Sequence, residues 1–476
     1  MPDLPDIGNA GATVATNVIP HKDSYKQFKD LVRYTSNAMD ASCKGAISAQ
    51  DSLGGNYTYL GNASKLYSMN NGIFADVSKA GGYSTATDDR WEFEKWGDTV
   101  IATNFADNMQ SITMSGANFA DLSATAPKAR HIKVLRDFVV VGNTWDSTDG
   151  NVPNRVRWSA INDSTDWTVS PSTQSDYQDL QGNGGWVQAI GGTEYGVVFQ
   201  DSSIWRMTYV GSPAIWQFDK VEDGRGTPAP GSVVTFGDMV FYLGRDGFYM
   251  FNGSNSIPIG VNKVDKTFWA DVDQTYMANI SSTIDPINTL VMWAYPGAGN
   301  TGGMPNHILA FNWSTNKWSS IDVDVEVIFS ALQEGYTLDQ LDSFGTMDAL
   351  PYSLDSRVWM GGADVLSGID LSHYLGHFTG TALDATIETG EQGSDNRALV
   401  TSVRPVVSGY SGVTAQVGSR NLQGDSTTWS TASSINSNGE CPVRVDSRYF
   451  RVRLNITGGF THAVGVDALA KKGGKR

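Results

Sequence analysis

A chain of 476 residues is long enough for two or three domains and a large buried core. Its formal net charge of −16 argues against a broad basic face that grips nucleic acid, because neutralising phosphates takes clustered Lys and Arg. An acidic wall that lets DNA slide past remains open. Hydrophobic residues at 40% exclude a disordered chain, and charged residues at 18% fall below the ~25% of ordinary soluble domains.

The 51 Gly, 14 Trp, 18 Tyr and 19 Phe suit short strands and tight turns, since aromatics pack on pleated surfaces while Gly and Asn reverse the chain. The N-terminal run MPDLPDIGNAGATVATNV has neither the basic segment nor the apolar stretch of a signal peptide, and no apolar run approaches the ~20 residues of a membrane span. The expectation is a soluble protein made in a cytoplasm. Cys43 and Cys441 are accordingly read as free, buried thiols.

In chain order, residues 1–42 are expected as an N-terminal arm and the start of a sheet. The segment 43–378 is dominated by a repeat. KLYSMNNGIFADVS (Lys65 to Ser78) and QSITMSGANFADLS (Gln110 to Ser123) share a short alternating strand, a turn, an aromatic anchor and an Ala-Asp-apolar-Ser ending. The anchors Phe74 and Phe119 are 45 residues apart, and looser copies put Trp167, Trp216, Ile257 and Trp318 at the same place, with gaps of 48, 49, 41 and 61. A second hairpin precedes each unit, as in WEFEKWGDTVIATN, RHIKVLRDFVVVGN, WVQAIGGTEYGVVFQ and VVTFGDMVFYLG, with turns such as Gly97-Asp98 and Gly237-Asp238.

Two hairpins per ~45 residues make a four-stranded unit, the mark of a β-propeller blade. Such a sheet cannot cover both its faces alone, so blades pack around an axis. The expected fold is all-β: a β-propeller of six or seven four-stranded blades with a smaller C-terminal antiparallel β domain. Six units run from about Ala46 to Val327, and a weaker seventh lies around Ser356 to Phe378. A β-sandwich with accidental likeness between hairpins is the competing fold.

GRGTPAPGS (Gly224 to Ser232) reads as an inter-blade connection. Val264 to Ile280 is predicted to hold one or two short helices, and Thr337 to Asp355 a long loop with a helical turn that projects from the scaffold. In the C-terminal domain, 379–470, LVTSVRPVV, VTAQVG and CPVRVDSRYFRVRLNITG read as strands, and 471–476 as a basic tail.

Few constellations carry chemistry. Asp322, Asp324 and Glu326 alternate in IDVDVEV and would share one strand face, which suits either a hard cation or simple solvation. No turn glycine of a calcium loop accompanies them, and solvation is the expectation. His373 and His377 in HYLGH have helical zinc spacing, but Gly376 weakens a helix and no HExxH pattern is present. NDSTDW and STDGNVPNRVRW do not fit the SxDxGxxW boxes of sialidase propellers, and no nucleophile elbow or phosphate loop is found. No catalytic residue, cofactor or metal is expected.

RYFRVRLNI (Arg448 to Ile456) as a strand buries Phe450, Val452, Leu454 and Ile456 and leaves Arg451 and Arg453 on the other face. With Lys471, Lys472, Lys475 and Arg476 they make the clearest basic region, either solvated or a docking surface for an acidic partner or DNA. The turn Gly244-Arg245-Asp246-Gly247 offers Arg245 and Asp246 at a blade or subunit edge. The candidate interface residues are therefore Arg245, Asp246, Arg451, Arg453, Lys471 and Lys472.

The run WVQAIGGTEYGVVFQDSSIWRMTYVG (Trp186 to Gly211), continued by VEDGRGTPAPGSVVTFGDMVFYLGRDGFYMFNGSNSIPIG (Val221 to Gly260), resembles tail proteins of short-tailed bacteriophages. These are the packaged-DNA stabilisation, head-completion or tail-nozzle proteins. KARHIKVLRDFVVVGN and PNRVRWSAINDSTDW fit the same family, and the likeness covers roughly Gly45 to Ser330.

The resemblance implies a non-enzymatic virion protein, assembled in the host bacterial cytoplasm as a homohexameric ring below the portal-adaptor ring. Tail fibres or spikes would attach outside, and DNA would pass through the lumen without sequence specificity. A carbohydrate-binding or carbohydrate-active propeller, such as a receptor-binding tail protein, is the alternative.

Overall fold

The computed structural model describes residues 11–335 and 361–473, together with 2–5, 7, 9 and 346. Apart from Thr346, the loop expected at Thr337 to Asp355 lies outside the described residues, as do Lys475 and Arg476.

The chain folds two residues at a time around its turns. Glu92–Trp96 and Thr99–Thr103 pair antiparallel across Gly97-Asp98, and Val234–Phe236 pairs with Met239–Leu243 across Gly237-Asp238. Gly97 and Gly237 each sit at φ 56°, a left-handed backbone that lets two residues reverse a right-twisted ribbon.

Repetition of such hairpins gives six free-standing four-stranded sheets. The first runs from Gly45–Gln50 to Ile73–Asp76, the second from Glu92–Trp96 to Ala120–Asp121, and the third from Lys128–Leu135 to Asp176–Asp179. The fourth runs from Val187–Gly192 to Ile215–Asp223 and the fifth from Val234–Phe236 to Ser256–Pro258. The last of the six joins Val327–Leu332, Asp364–Ile369 and Leu375–His377 to the N-terminal strand Val32–Arg33. Between the fifth sheet and this one, the strands from Ser281–Asp285 to Lys317–Asp322 make a further four-stranded unit. The innermost strands follow one another around the axis, with Val327–Leu332 packed on both Ser281–Asp285 and Gly45–Gln50, so the ring has seven positions.

Burial explains the closure. In the second to sixth blades the second strand is largely apolar on both faces, and successive side chains enter opposite inter-blade cores. Val100 and Ala102 pack toward the first blade with Tyr59 and Phe119, while Ile101 packs toward the third with Val139 and Trp167. Phe241 and Leu243 join Trp293 and Trp318 toward the sixth blade, while Val240 and Tyr242 join Phe199 toward the fourth. Leu60, Tyr67, Val327 and Phe329 form the core that closes the last blade on the first.

The repeat anchors Phe74, Phe119, Trp167, Trp216 and Trp318 are all buried, Trp167 completely. The fifth anchor is a correction. Ile257 is 38% exposed and Ile259 is buried instead, because the turn at Asn252-Gly253 leaves a three-residue strand, Ser256–Pro258, whose outer face meets water.

Gly224 to Ser232 connects the fourth and fifth blades, ending in a short 3-10 turn, Pro230–Ser232. The helices expected before Ile280 are Asp265–Asp271 and the 3-10 segment Gln274–Asn279.

The C-terminal strands form a sheet with its own core, containing Val400, Val403, Val452, Leu454 and Ile456. Phe450, Val452, Leu454 and Ile456 are buried, as the alternation predicts. This sheet is not detached from the propeller. Lys317–Asp322, the outer strand of the sixth blade, meets Ala12–Thr16 in parallel at Thr16 and Ser320. Ala12–Thr16 then pairs antiparallel with Ala385–Thr389, and that strand with Cys441–Thr457. Fourteen strands thus share one hydrogen-bonded sheet, with the N-terminal segment woven through it.

Candidate interaction surfaces

The inner strands of the blades line an axial cavity of 350 Å³. Arg90 stands at one mouth of it, just before the inner strand of the second blade. Its guanidinium donates to the carbonyls of Ala278 (3.2 Å) and Ile280, reaching across the axis to the sixth blade. Burial lowers the pKa of Arg90, and the two carbonyl dipoles satisfy its Nη1 donors.

Beyond it lies a second cavity of 590 Å³, lined in part by Arg90, Asp89, Arg130, His131 and Trp186. There Arg130 pairs with Asp89, Nδ1 of His131 meets Glu92 at 2.8 Å, and Trp186 is 52% exposed. A passage bridged by one arginine does not admit a DNA duplex, whose major groove alone is about 12 Å wide.

The six candidate interface residues fall into three places. Arg245 and Asp246 are exposed on the turn between the second and third strands of the fifth blade. Asp246 accepts a hydrogen bond from the Tyr249 hydroxyl at 2.6 Å. Beneath the turn lies Asp265. Phe248 N donates to its Oδ1 at 3.1 Å, and burial pushes its pKa up to about 6, helped by Asp3 and Asp246. Gly247 (φ 150°) and Gly260 press on that carboxylate so closely that a Cβ on either would come within 2.2 or 1.9 Å of it.

Arg451 and Arg453 are half-buried and both lie over the Trp429 ring, at 5.3 and 3.9 Å. Arg453 is also paired with the buried Glu388 at 2.5 Å, so it works inside the sheet. Lys471 and Lys472 are exposed at the end of His462–Lys472, across the strand Gln392–Ser408 from Cys441–Thr457. The structure therefore divides what the sequence grouped as one basic region. Trp429 was missed because a lone Trp in a Ser/Thr-rich turn carries no periodic signal.

The three alternating acids do not share a face, which corrects the strand read across IDVDVEV. The strand ends at Asp322 and resumes at Val327. Asp322 accepts from His307 Nδ1 at 2.9 Å and Asp324 is exposed, whereas Glu326 is buried and accepts from Cys43 N at 2.8 Å. His373 and His377 likewise part company. His373 Nδ1 meets Glu326 at 2.7 Å, and His377 Nδ1 meets Ser367 Oγ at 2.8 Å. Among the described residues no three His, Cys, Asp or Glu side chains gather as a metal site. Cys43 and Cys441 are free and buried. No helix among the described residues is long and apolar enough to cross a membrane.

Strand order and seven inter-blade cores define a β-propeller with an appended C-terminal β sheet. No family model matches the chain, and no curated protein does. Among solved structures it is similar to the computationally designed Ika8 protein, with 8% identity, 79% of this chain and 99% of that one covered, and a TM-score of 0.39. It is similar to BamB from Moraxella catarrhalis, with 10% identity, 76% and 92% covered, and a TM-score of 0.37. The Pan2 WD40 domain of Neurospora crassa gives 10% identity, 76% and 98% covered, and a TM-score of 0.40. The fold assignment rests on the chain's own strand pairing.

Proposed function

We propose that this protein is a structural, non-enzymatic component of a bacteriophage tail, a nozzle or head-closure ring that retains packaged DNA and then lets it leave. The observation that carries the reading is the continuous fourteen-stranded sheet, which binds the N-terminal segment, the sixth blade and the C-terminal sheet into one hydrogen-bonded body. With the ring also closed by an N-terminal strand, such a body resists being pulled apart, as a wall under pressure from packaged DNA must. The acidic charge of −16 suits a wall past which a polyanion slides. The resemblance of the fourth and fifth blades to phage nozzle proteins supplies the virion context. Electron microscopy of purified protein tests this: rings are expected, and a monomer absent from virions would refute it.

A second reading, a carbohydrate-binding propeller, is favoured by the half-exposed Trp186 beside the 590 Å³ cavity, where an indole face and planar polar groups suit a sugar ring. Glycan-array binding that disappears in Trp186→Ala would support it over the scaffold.

A further inference from the structure

We propose that the open edge of the strand His462–Lys472 docks a second copy of this chain, which lays an acidic strand of its propeller along it. The proposal rests on the ring reading and names the contact that would build the ring.

Three observations converge on this edge. The first is backbone pairing. His462–Lys472 pairs with Gln392–Ser408 from end to end, with two register shifts, but among the described residues its other edge meets a strand only where Ala463 faces Tyr25. From Val464 to Lys472 no described strand takes up that edge. A long open edge is a template for another strand, and proteins blunt such edges with proline, bulges, lysines or a covering loop. Here a register shift at Val464 and the lysines Lys471 and Lys472 mark the two ends, and Gly465 to Ala470 is the stretch open between them.

The second is the side chains. Val464 and Leu469 are 56% and 55% exposed, the exposed Asp467 lies between them opposite Arg404, and Val406 is exposed opposite Gly465. Exposed apolar side chains on either side of one acid, along a free edge, suit a strand addition, in which main-chain bonds supply affinity and alternate side chains supply fit.

The third is charge. Residues 391–476 hold 11 Lys and Arg against 6 Asp and Glu, a net of +5, so residues 1–390 carry −21 of the total −16. Lys471 and Lys472 stand exposed at the end of the edge. A basic edge and an acidic propeller within one chain make successive copies complementary head to tail, the heterologous contact that closes into rings. DNA would satisfy the lysines, but it has no use for exposed Val464 and Leu469 or for unpaired amides.

The test uses the full chain in three forms: wild type, Val464→Lys/Leu469→Lys, and Lys471→Glu/Lys472→Glu. Both pairs are exposed, so circular dichroism and melting should match wild type. Sedimentation velocity should show the wild type assembling, with both variants weakened roughly tenfold or more, about 1.4 kcal/mol, and the lysine variant losing salt dependence. Amide exchange across Val464 to Lys472 should slow on assembly.

Wild-type assembly with unprotected amides there and unchanged variants overturns the docking edge and leaves the ring reading standing. A wild type that stays monomeric at every concentration overturns both. If Lys471→Glu/Lys472→Glu abolishes binding to duplex DNA in anisotropy while self-association is untouched, the edge serves DNA and the proposal falls.

Discussion

Glu326 Oε1 lies 2.7 Å from Nδ1 of His373, while its Oε2 accepts the backbone N–H of Cys43 at 2.8 Å. One buried carboxylate thus joins the entry to the last blade, a turn within that blade and the chain entering the first, at the seam where the ring closes. Burial raises its pKa, so its place depends on those donors. Glu326→Ala would leave a buried N–H and an imidazole unpartnered, and a loss of about 2–4 kcal/mol in urea denaturation is expected. Glu326→Gln keeps the acceptor for Cys43 and should lose less than half of that. Equal losses would show that the carboxylate does not clasp the seam.

The last blade takes its fourth strand from the far end of the chain, Val32 and Arg33 pairing with His377 and Gly376. Removing residues 1–34 deletes that strand together with Ala12–Thr16. The truncated protein is expected to melt well below wild type and to bind a hydrophobic dye. Arg33→Ala is a contrast. Although Arg33 pairs with Asp370, its side chain is 53% exposed, and such pairs contribute about 0–1 kcal/mol. A melting point near wild type for the truncation would mean that the ring closes without its N-terminal strand.

Asp265 makes stability depend on pH. Its folded pKa of about 6 lies above the ordinary 3.8, so the folded state holds the proton more tightly than the unfolded chain does. The contribution is complete below about 3.8, is lost as pH rises toward 6, and stays lost at neutral pH. Asp265→Asn keeps an acceptor for Phe248 N without the charge. Relative to wild type it should gain roughly 1–3 kcal/mol between pH 4 and pH 7.5, measured by denaturation at each pH. A constant difference across that range would count against a buried, titrating carboxyl.

Burial pushes the Cys43 thiol up to about 12 and also raises that of Cys441. Since the thiolate is the reactive form, neither should react with a thiol-specific disulfide reagent in the folded protein, and both should react in guanidinium. Fast labelling of either cysteine at neutral pH would show that its core opens readily.

Sequence alone determined the repeating unit and its packing logic. Runs such as LVMWAY are apolar on both phases of the alternation, which suits a strand buried on both faces, and Gly97-Asp98 and Gly237-Asp238 mark hairpins because glycine takes a positive φ at little cost. The anchors Phe74, Phe119, Trp167, Trp216 and Trp318 were legible for the same reason, whereas Ile257 was not, since a short outer strand leaves too little pattern to fix its register.

Only the tertiary structure decided the rest. Val32–Arg33 enters the last blade from more than 300 residues away, and two residues have no periodicity to announce it. Glu326 reads as one of three solvated acids until the strand breaks after Asp322 and turns it inward to Cys43 and His373. Arg453 and Lys471 look alike in sequence. A buried Glu388 and the Trp429 ring hold the first inside the sheet, while the second stands at an open edge, because partners distant in sequence decide which charges are neutralised and which face outward.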